Sequence, residues 1–144
     1  MSLTARIDLT VPFHDIDSME VCWHGHYVRY FELARTALLQ RINYDYPQMR
    51  ASGHAWPVIE LFVRYAQPLV YQQRLHLDAR LVEWENRLKI VYEIRDAATQ
   101  KRLTYGHTVQ VAVDIQTREM CFASPDILRE KLGRFYEKHD ETNT

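Results

Sequence analysis

One segment between residues 27 and 42 constrains the fold more than any other part of the sequence. Its apolar residues recur at intervals of three and four, and they are Tyr27, Tyr30, Phe31, Ala34, Ala37 and Leu38. This spacing puts them on one face of a helix, which predicts a long amphipathic helix with that face buried. No other segment of this length has so regular a helical period, so we expect the rest of the chain to pack around it.

The segments on either side have the two-residue period of β-strands. Residues 6–13 place Ile7, Leu9, Val11 and Phe13 on one side, which predicts a first strand with one buried face. A loop at 43–57 with a short helix near 47–51 comes next, and strands are predicted at 58–65, 74–84, 88–95 and 103–115. Short polar turns between these strands are typical of an antiparallel sheet.

The remaining features indicate a single domain that spans residues 1–144. Ser124-Pro125 predicts the start of a C-terminal helix with the apolar face Ile127, Leu128, Leu132 and Phe135, and residues 139–144 are expected to be a disordered tail. The net charge of −1 gives no reason to expect nucleic acid as a partner, and no apolar run is long enough to span a membrane. Two widely separated cysteines, Cys22 and Cys121, indicate free thiols and a cytoplasmic protein.

Two acids, Asp15 and Asp17, lie just ahead of the central helix. The first turn of a helix has free backbone N–H groups and a partial positive charge, so it can stabilise a developing oxyanion. A carboxylate close to that turn can attack a bound carbonyl or activate a water. An aspartate in this position is more often a cap or turn residue, so the spacing alone does not establish a catalytic role.

The pattern from Asp15 to Arg35 resembles the signature of hotdog-fold acyl-CoA thioesterases of the 4-hydroxybenzoyl-CoA thioesterase type. The matching residues are Asp15, Asp17, Trp23, His24, Tyr27, Tyr30, Phe31, Glu32, Ala34 and Arg35. One residue departs from the pattern: Glu20 stands where the family usually has a glycine. The resemblance implies an α+β hotdog fold, in which a curved antiparallel five-stranded sheet wraps around one long helix.

It also implies the activity, hydrolysis of an acyl-CoA thioester without a metal or other cofactor. Asp17 would be the nucleophile or general base, and the helix start at His24 and Gly25 would polarise the thioester carbonyl. Asp15 would act at most on its neighbour, by a repulsion that raises one of the two carboxyl pKa values. Hotdog domains pair edge to edge, so we expect a homodimer or a homotetramer.

Four further residues are predicted to bind substrate: Tyr27, Glu60, Arg87 and Lys89. The two basic residues flank a turn where relatives often hold the phosphates of coenzyme A, although ordinary solvated turn charges explain them nearly as well. Glu32 and Arg35 are expected to form a structural ion pair. The ligand types near His24 and His26 lack the spacing of a metal site, so no metal is expected.

Alternative functions remain open on the sequence alone. An acyl-carrier-protein thioesterase would use the same residues, with Arg87 and Lys89 against the acidic carrier. A hotdog dehydratase needs a different histidine and acid motif, which we do not find. A non-catalytic acyl-thioester binding module would have no need for Asp17.

Overall fold

The computed structural model describes the backbone of residues 2–143, and the side chains of these residues except 134 and 136–143. Three helices and seven strands follow one another in the described chain: β1 (Thr4–Thr10), α1 (His26–Gln40), α2 (Tyr46–Ala51), β2 (His54–Ala55), β3 (Val58–Tyr65), β4 (Arg74–Glu83), β5 (Leu88–Asp96), β6 (Arg102–Gln110), β7 (Val113–Asp114) and α3 (Asp126–Asn143). A short 3₁₀ turn, Phe13–Asp15, precedes α1. The predicted long helix, the short helix in the loop and the C-terminal helix are confirmed.

The main sheet has five antiparallel strands in the order β1-β4-β5-β6-β3. Strands β4, β5 and β6 form the predicted meander, whereas β1 and β3 are the two edges. A second sheet contains only β2 and β7. The architecture confirms the α+β class and the five-stranded antiparallel sheet that the sequence predicts.

The core lies between α1 and the inner face of the sheet. Alternate residues of β4 and β5 are buried against the helix, and they include Leu75, Leu77, Leu81, Ile90 and Ile94. The ring of Phe31 stacks on Tyr92 with centroids 4.5 Å apart and planes 7° apart. A Cβ atom on Gly106 would lie 2.8 Å from the Phe31 ring, so only glycine lets the helix approach β6 this closely.

Two details of the strand predictions are wrong. Phe13 is 73% exposed, because β1 ends at Thr10 and the chain turns into the 3₁₀ segment before reaching it. The strand predicted at 103–115 is broken between β6 and β7. Pro57 has no backbone N–H and separates β2 from β3. The neighbouring segment is interrupted at the corresponding place, so that β6 pairs with β3 and β7 pairs with β2.

The C-terminal helix packs on the core through the predicted apolar face. Leu128 and Leu132 are buried, and Ile127 and Phe135 are partly buried against the same cluster. The predicted disordered tail at 139–144 falls on residues whose side chains lie outside the described set, so it stays a prediction. Within the described chain, no helix combines the length and the apolar character that crossing a membrane requires.

Candidate active site

The site is built on a tight loop between β1 and α1. Its base is closed by a hydrogen bond from Trp23 N to Asp15 O at 2.9 Å, and by an antiparallel bridge between Ile16 and Cys22. Inside the loop, Asp17 N donates to Val21 O at 2.9 Å. These bonds fold the chain back on itself, so the segment with the two acids lies against residues 21–23, which lead into α1.

Asp15 is the buried acid of the pair, with 1% of its side chain exposed. Its Oδ2 atom accepts a hydrogen bond of 2.5 Å from the Tyr30 hydroxyl. Its Oδ1 atom forms an ion pair with Arg29 Nη2 at 2.5 Å, while His26 Nε2 lies 3.8 Å away. These three partners come from α1, and His14 Nε2 of the 3₁₀ turn lies 3.6 Å from the same Oδ1 atom, so the carboxylate ties the loop to the first turns of the helix.

The environment of Asp15 sets its charge. Burial raises the pKa of the Asp15 carboxyl, but the hydrogen bond from Tyr30 and the charge of Arg29 outweigh it, and the net pKa is lowered. The expected repulsion between the two acids therefore does not raise the pKa of Asp15. The hydrogen bond to this carboxylate also raises the pKa of Tyr30, in addition to the larger effect of burial.

Asp17 lies in a different environment, half-buried at the turn of the loop. Its Oδ1 atom accepts one hydrogen bond, from the backbone N–H of Met19 at 2.8 Å. No ion pair to Asp17 is found among the residues that the structure describes. The carboxylate is thus oriented by the turn but not neutralised, which suits a nucleophile or a base.

Glu20 occupies the left-handed region of the backbone, with φ of +65°. Glycine adopts this conformation without the steric cost that a side chain brings. The departure from the family pattern therefore lies at a position where the local turn favours glycine. The Glu20 side chain is exposed.

The start of α1 depends on a close contact between Trp23 and Gly25. Gly25 is the N-cap residue, and a Cβ atom on it would lie 2.2 Å from the Trp23 ring, so a side chain does not fit there. The side chain of His24 is exposed, and its carbonyl accepts a 2.7 Å hydrogen bond from the Tyr65 hydroxyl. Within the described chain, neither the His24 nor the Gly25 amide donates a hydrogen bond.

Tyr27, which is predicted to bind substrate, is a buried residue in the first turn of α1. It is buried, its hydroxyl accepts a 3.3 Å hydrogen bond from Leu69 N, and its ring packs edge-on against Tyr65. Burial raises the pKa of Tyr27 to about 12. The hydroxyl is therefore a neutral group that holds the Leu69 loop beneath the site.

The other predicted substrate residues lie away from the loop. Glu60 is on the outward side of β3 and pairs with His107, with Oε2 and Nε2 2.8 Å apart. Arg87 binds Glu83 at 3.0 Å, and Lys89 is opposite Glu83 in the sheet register. The hairpin with both basic residues is at the Val58 end of the sheet, whereas the site is at the Tyr65 end, roughly 20 Å away at the rise of a β-strand.

Sequence reasoning missed three residues that the structure brings to the site. Arg29 is not among the predicted site residues, and Tyr30 is predicted only as part of the apolar stripe and of the family pattern, yet both bind Asp15. Tyr65 was read as part of a strand, yet it holds the carbonyl of His24. The sequence does contain a signal for Arg29 and Tyr30: both lie about one turn from the helix start, close to the loop with the two acids. The role of Tyr65 depends on a contact across 41 residues, which no local pattern reveals.

The predicted ion pair between Glu32 and Arg35 is present, with a distance of 3.5 Å. Within the described part of the chain, no three histidine, cysteine or acidic side chains come together as a group that could hold a metal ion.

Comparisons with known proteins agree with this architecture. A family model described as "Thioesterase-like superfamily" matches residues 11–131. The chain belongs to this superfamily. The resemblance seen in the loop and helix sequence is thus confirmed, and the fold is the hotdog fold.

Relatives and solved structures extend the comparison. "Putative acyl-CoA thioesterase YneP" of Bacillus subtilis is 27% identical over 88 residues, which cover 61% of this chain and 63% of that protein, so the match spans less than two thirds of the relative. The 1,4-dihydroxy-2-naphthoyl-CoA thioesterase Slr0204 from Synechocystis superposes with a TM-score of 0.81 at 17% identity, covering 92% of this chain and 97% of that one. The DHNA-CoA thioesterase from Staphylococcus aureus gives 0.75 at 22% identity, covering 96% and 87%.

Proposed function

We propose that this protein hydrolyses an acyl-CoA thioester to the free acid and coenzyme A. The observation that carries the proposal is the arrangement of the loop that leads into α1: the Asp17 carboxylate is oriented by the Met19 amide and has no ion-pair partner among the described residues. The membership of the superfamily supports the same reaction class, and the acyl-CoA description of the Bacillus subtilis relative supports coenzyme A as the carrier.

In this proposal the amides of His24 and Gly25 donate to the thioester carbonyl oxygen. As the carbonyl becomes tetrahedral, negative charge develops on that oxygen, and donors at a helix start stabilise it. Tyr65 contributes by holding the His24 carbonyl, which fixes the orientation of the adjoining peptide. Trp23 covers Gly25 and keeps the turn closed.

The Asp17 carboxylate can take part in thioester hydrolysis by either of two mechanisms. As a nucleophile it bonds to the carbonyl carbon, coenzyme A leaves as the thiolate, and water hydrolyses the resulting anhydride. As a general base it takes a proton from a water that attacks the same carbon, and the thiolate leaves in the same way. Both routes need a carboxylate without an ion-pair partner, and Asp17 has none among the described residues.

Arg87 and Lys89 are proposed to contact the phosphates of the carrier from a second chain. In one chain their hairpin is at the far end of the sheet from Asp17. An antiparallel pairing of two β3 edges would bring the Val58 end of one chain next to the Tyr65 end of the other. An acyl carrier protein is the alternative carrier, because its acidic surface suits the same two basic residues.

Thiol release from a panel of acyl-CoA substrates tests the proposed activity. We expect turnover of at least one acyl-CoA, and a rise in KM with little change in kcat for Arg87→Ala combined with Lys89→Ala, because these residues supply uniform binding. Turnover of acyl-carrier-protein substrates alone would select the alternative carrier. Tight binding without turnover on every substrate would favour the binding module.

The edge strand β3 supports the proposed homodimer. Five of its six large apolar side chains are between 42% and 59% exposed, and they are Val58, Ile59, Leu61, Phe62 and Tyr65. An unpaired apolar edge of this kind is a template for pairing with a second strand. We therefore propose that two chains join through β3, as a dimer or as half of a tetramer.

Light scattering at micromolar concentration tests this interface. The wild-type protein is expected to have at least twice the mass of the chain. Ile59→Lys puts a charge into the proposed interface and is expected to yield monomers. Thr10→Lys, on the exposed edge strand β1, is the matched control and should leave the mass unchanged. A wild-type monomer would contradict the proposal.

A further inference from the structure

A single side chain, Tyr65, connects the main sheet to the turn that begins α1. It is the last residue of the edge strand β3, where it lies opposite Thr104 of β6. Its hydroxyl donates to the His24 carbonyl at 2.7 Å, across 41 positions of the sequence. His24 precedes the first residue of α1, so the bond holds a peptide of the turn from a different element of the fold.

Two aromatic contacts hold the ring of Tyr65 in place. Its edge packs against Tyr27 with ring centroids 4.7 Å apart, and the ring of His24 lies at 6.3 Å. Tyr27 is itself buried, and its hydroxyl accepts from Leu69 N. Burial raises the pKa of Tyr65 above its ordinary value, so the hydroxyl remains a protonated donor at neutral pH. The His24 carbonyl is therefore bound by a donor whose position is fixed by its neighbours.

The bound carbonyl fixes the direction of the next amide. The C=O of His24 and the N–H of Gly25 belong to one planar trans peptide group, in which the two bonds point in opposite directions. Since the oxygen points to the Tyr65 hydroxyl, the Gly25 N–H points away from it. A hydrogen bond to the carbonyl also polarises the peptide and strengthens its N–H as a donor. Tyr65 thus both orients and polarises the Gly25 amide.

The neighbouring amides of the turn are in a different situation. The amide of His26 is occupied, because it donates to Trp23 O at 2.9 Å. The amide of His24 is free within the described chain, but the carbonyl of its own peptide, Trp23 O, is bound from inside the same turn, by His26 N and by the Cys22 thiol at 3.7 Å. The two free amides at the start of α1 are therefore unequal, and that of Gly25 is the one supported from the sheet.

We propose that the Gly25 amide is the principal donor to the thioester oxygen and that Tyr65 is the positioning residue that sets its strength. The inference rests on the proposed hydrolysis and makes one of the two free amides dominant. The benefit of this donor grows as negative charge develops on the oxygen, so it lowers the barrier of the reaction more than it tightens the binding of substrate. In this role the Tyr65 hydroxyl contacts the peptide and not the substrate.

Tyr65→Phe removes the hydroxyl and keeps the ring that packs on Tyr27. Thiol release from acetyl-, hexanoyl-, decanoyl- and benzoyl-CoA measures kcat and KM. For each acyl-CoA that the wild type hydrolyses, we expect kcat to fall about tenfold and KM to stay within about twofold, since a misdirected donor costs less than the 10²- to 10³-fold loss of a donor that is removed. Tyr105→Phe is the matched control: it removes a hydroxyl from β6, where the ring lies against Arg102, and should change neither constant.

A nuclear magnetic resonance measurement tests the peptide itself, without substrate. The chain has four glycines, so labelling with ¹⁵N-glycine gives one amide signal for each of them. The ¹⁵N shift of an amide responds to a hydrogen bond on the preceding carbonyl, and we expect the Gly25 signal to move upfield in Tyr65→Phe. The signals of Gly53 and Gly133 are the references and should stay in place. An unmoved Gly25 signal would show that Tyr65 does not polarise this peptide and would overturn the inference.

Failure of the inference and failure of the proposed function give different results. If the wild type releases no thiol from any acyl-CoA, the proposed hydrolysis is wrong and the inference falls with it. If the wild type is active and Tyr65→Phe has the same kcat, with KM changed or not, only the role of Tyr65 is overturned.

Thermal unfolding must show that Tyr65→Phe is folded. If it is not, wild-type protein grown with meta-fluorotyrosine decides the matter, because the fluorinated hydroxyl is a stronger donor. The Gly25 signal should then move downfield, and an unmoved signal would overturn the inference.

Discussion

The two acids of the loop before α1 are two residues apart and have opposite surroundings. Asp15 is buried and bound by Tyr30 and Arg29, whereas Asp17 is half-buried and bound by a single backbone amide. A carboxylate whose charge is already balanced holds the chain together, and one whose charge is unbalanced remains available for chemistry. We therefore give Asp15 a structural role and, in our proposal, Asp17 a catalytic role.

The largest expected effect comes from replacing Asp17, the proposed nucleophile or base. Asp17→Asn keeps the size of the side chain and the acceptor for Met19 N, but it cannot serve as a nucleophile or a base. We expect kcat for acyl-CoA hydrolysis to fall by about 10²- to 10⁴-fold, with binding and stability close to wild type. Thiol release under saturating substrate measures this.

Glu20→Gln is the matched control, since it removes a second, exposed carboxylate from the same turn. It is expected to retain most of the activity. The reverse result, with Asp17→Asn active and Glu20→Gln inactive, would transfer the catalytic role to Glu20.

Replacing the structural acid should instead reduce stability. Asp15→Asn leaves Arg29 without its ion pair, while the amide oxygen still accepts from Tyr30. Because Arg29 is half-exposed and regains water, we expect a loss of about 1–3 kcal/mol in the free energy of unfolding. Urea denaturation at neutral pH measures it, with Asp17→Asn as the reference. Equal stability of the two variants would remove the distinction between the acids.

The same acid predicts a dependence of stability on pH. The pKa of Asp15 is lower in the folded protein than its ordinary value, so its contribution is complete above the unfolded pKa and is lost as the pH falls through the folded pKa. The stability difference between wild type and Asp15→Asn should therefore shrink below about pH 4. Urea midpoints measured from pH 7 down to pH 3 would show it, and a constant difference would contradict it.

The smallest expected effect concerns the strained residue of the turn. Glu20→Gly removes a side chain from a backbone with φ of +65°, and should raise the free energy of unfolding by about 0.5–1 kcal/mol with kcat unchanged. Ser18→Gly, in the same loop, relieves no such strain and should reduce stability slightly. Equal changes in both variants would show that the strain has no energetic cost.

The elements of the fold were predictable because their signals are local. The helical spacing from Tyr27 to Leu38 and the alternation from Leu75 to Leu81 each lie within one element, and both are confirmed. The break between β6 and β7 was not predictable, because Val113 pairs with Ala55, which lies 58 positions earlier in the chain. Strand ends depend on such partners more than on their own residues.

The candidate site was predictable only in part. The loop with Asp17 and the start of α1 were found because the motif is contiguous in sequence. The network of Asp15 was missed because a polar residue on a helix gives no indication of whether it faces water or a buried acid. Arg29 is half-exposed and bound to a buried carboxylate at the same time, a combination that needs the folded loop.

The indole of Trp23 over Gly25 makes the loop spectroscopically accessible. The chain has three tryptophans, and Trp56 is buried at the far end of the sheet, while Trp23 is 46% exposed beside the helix start. A soluble quencher such as iodide therefore reaches Trp23 more readily than Trp56, and any molecule seated on the turn shields it. The difference in tryptophan fluorescence between the wild-type protein and Trp23→Phe comes from this turn, so binding there can be followed without an attached label.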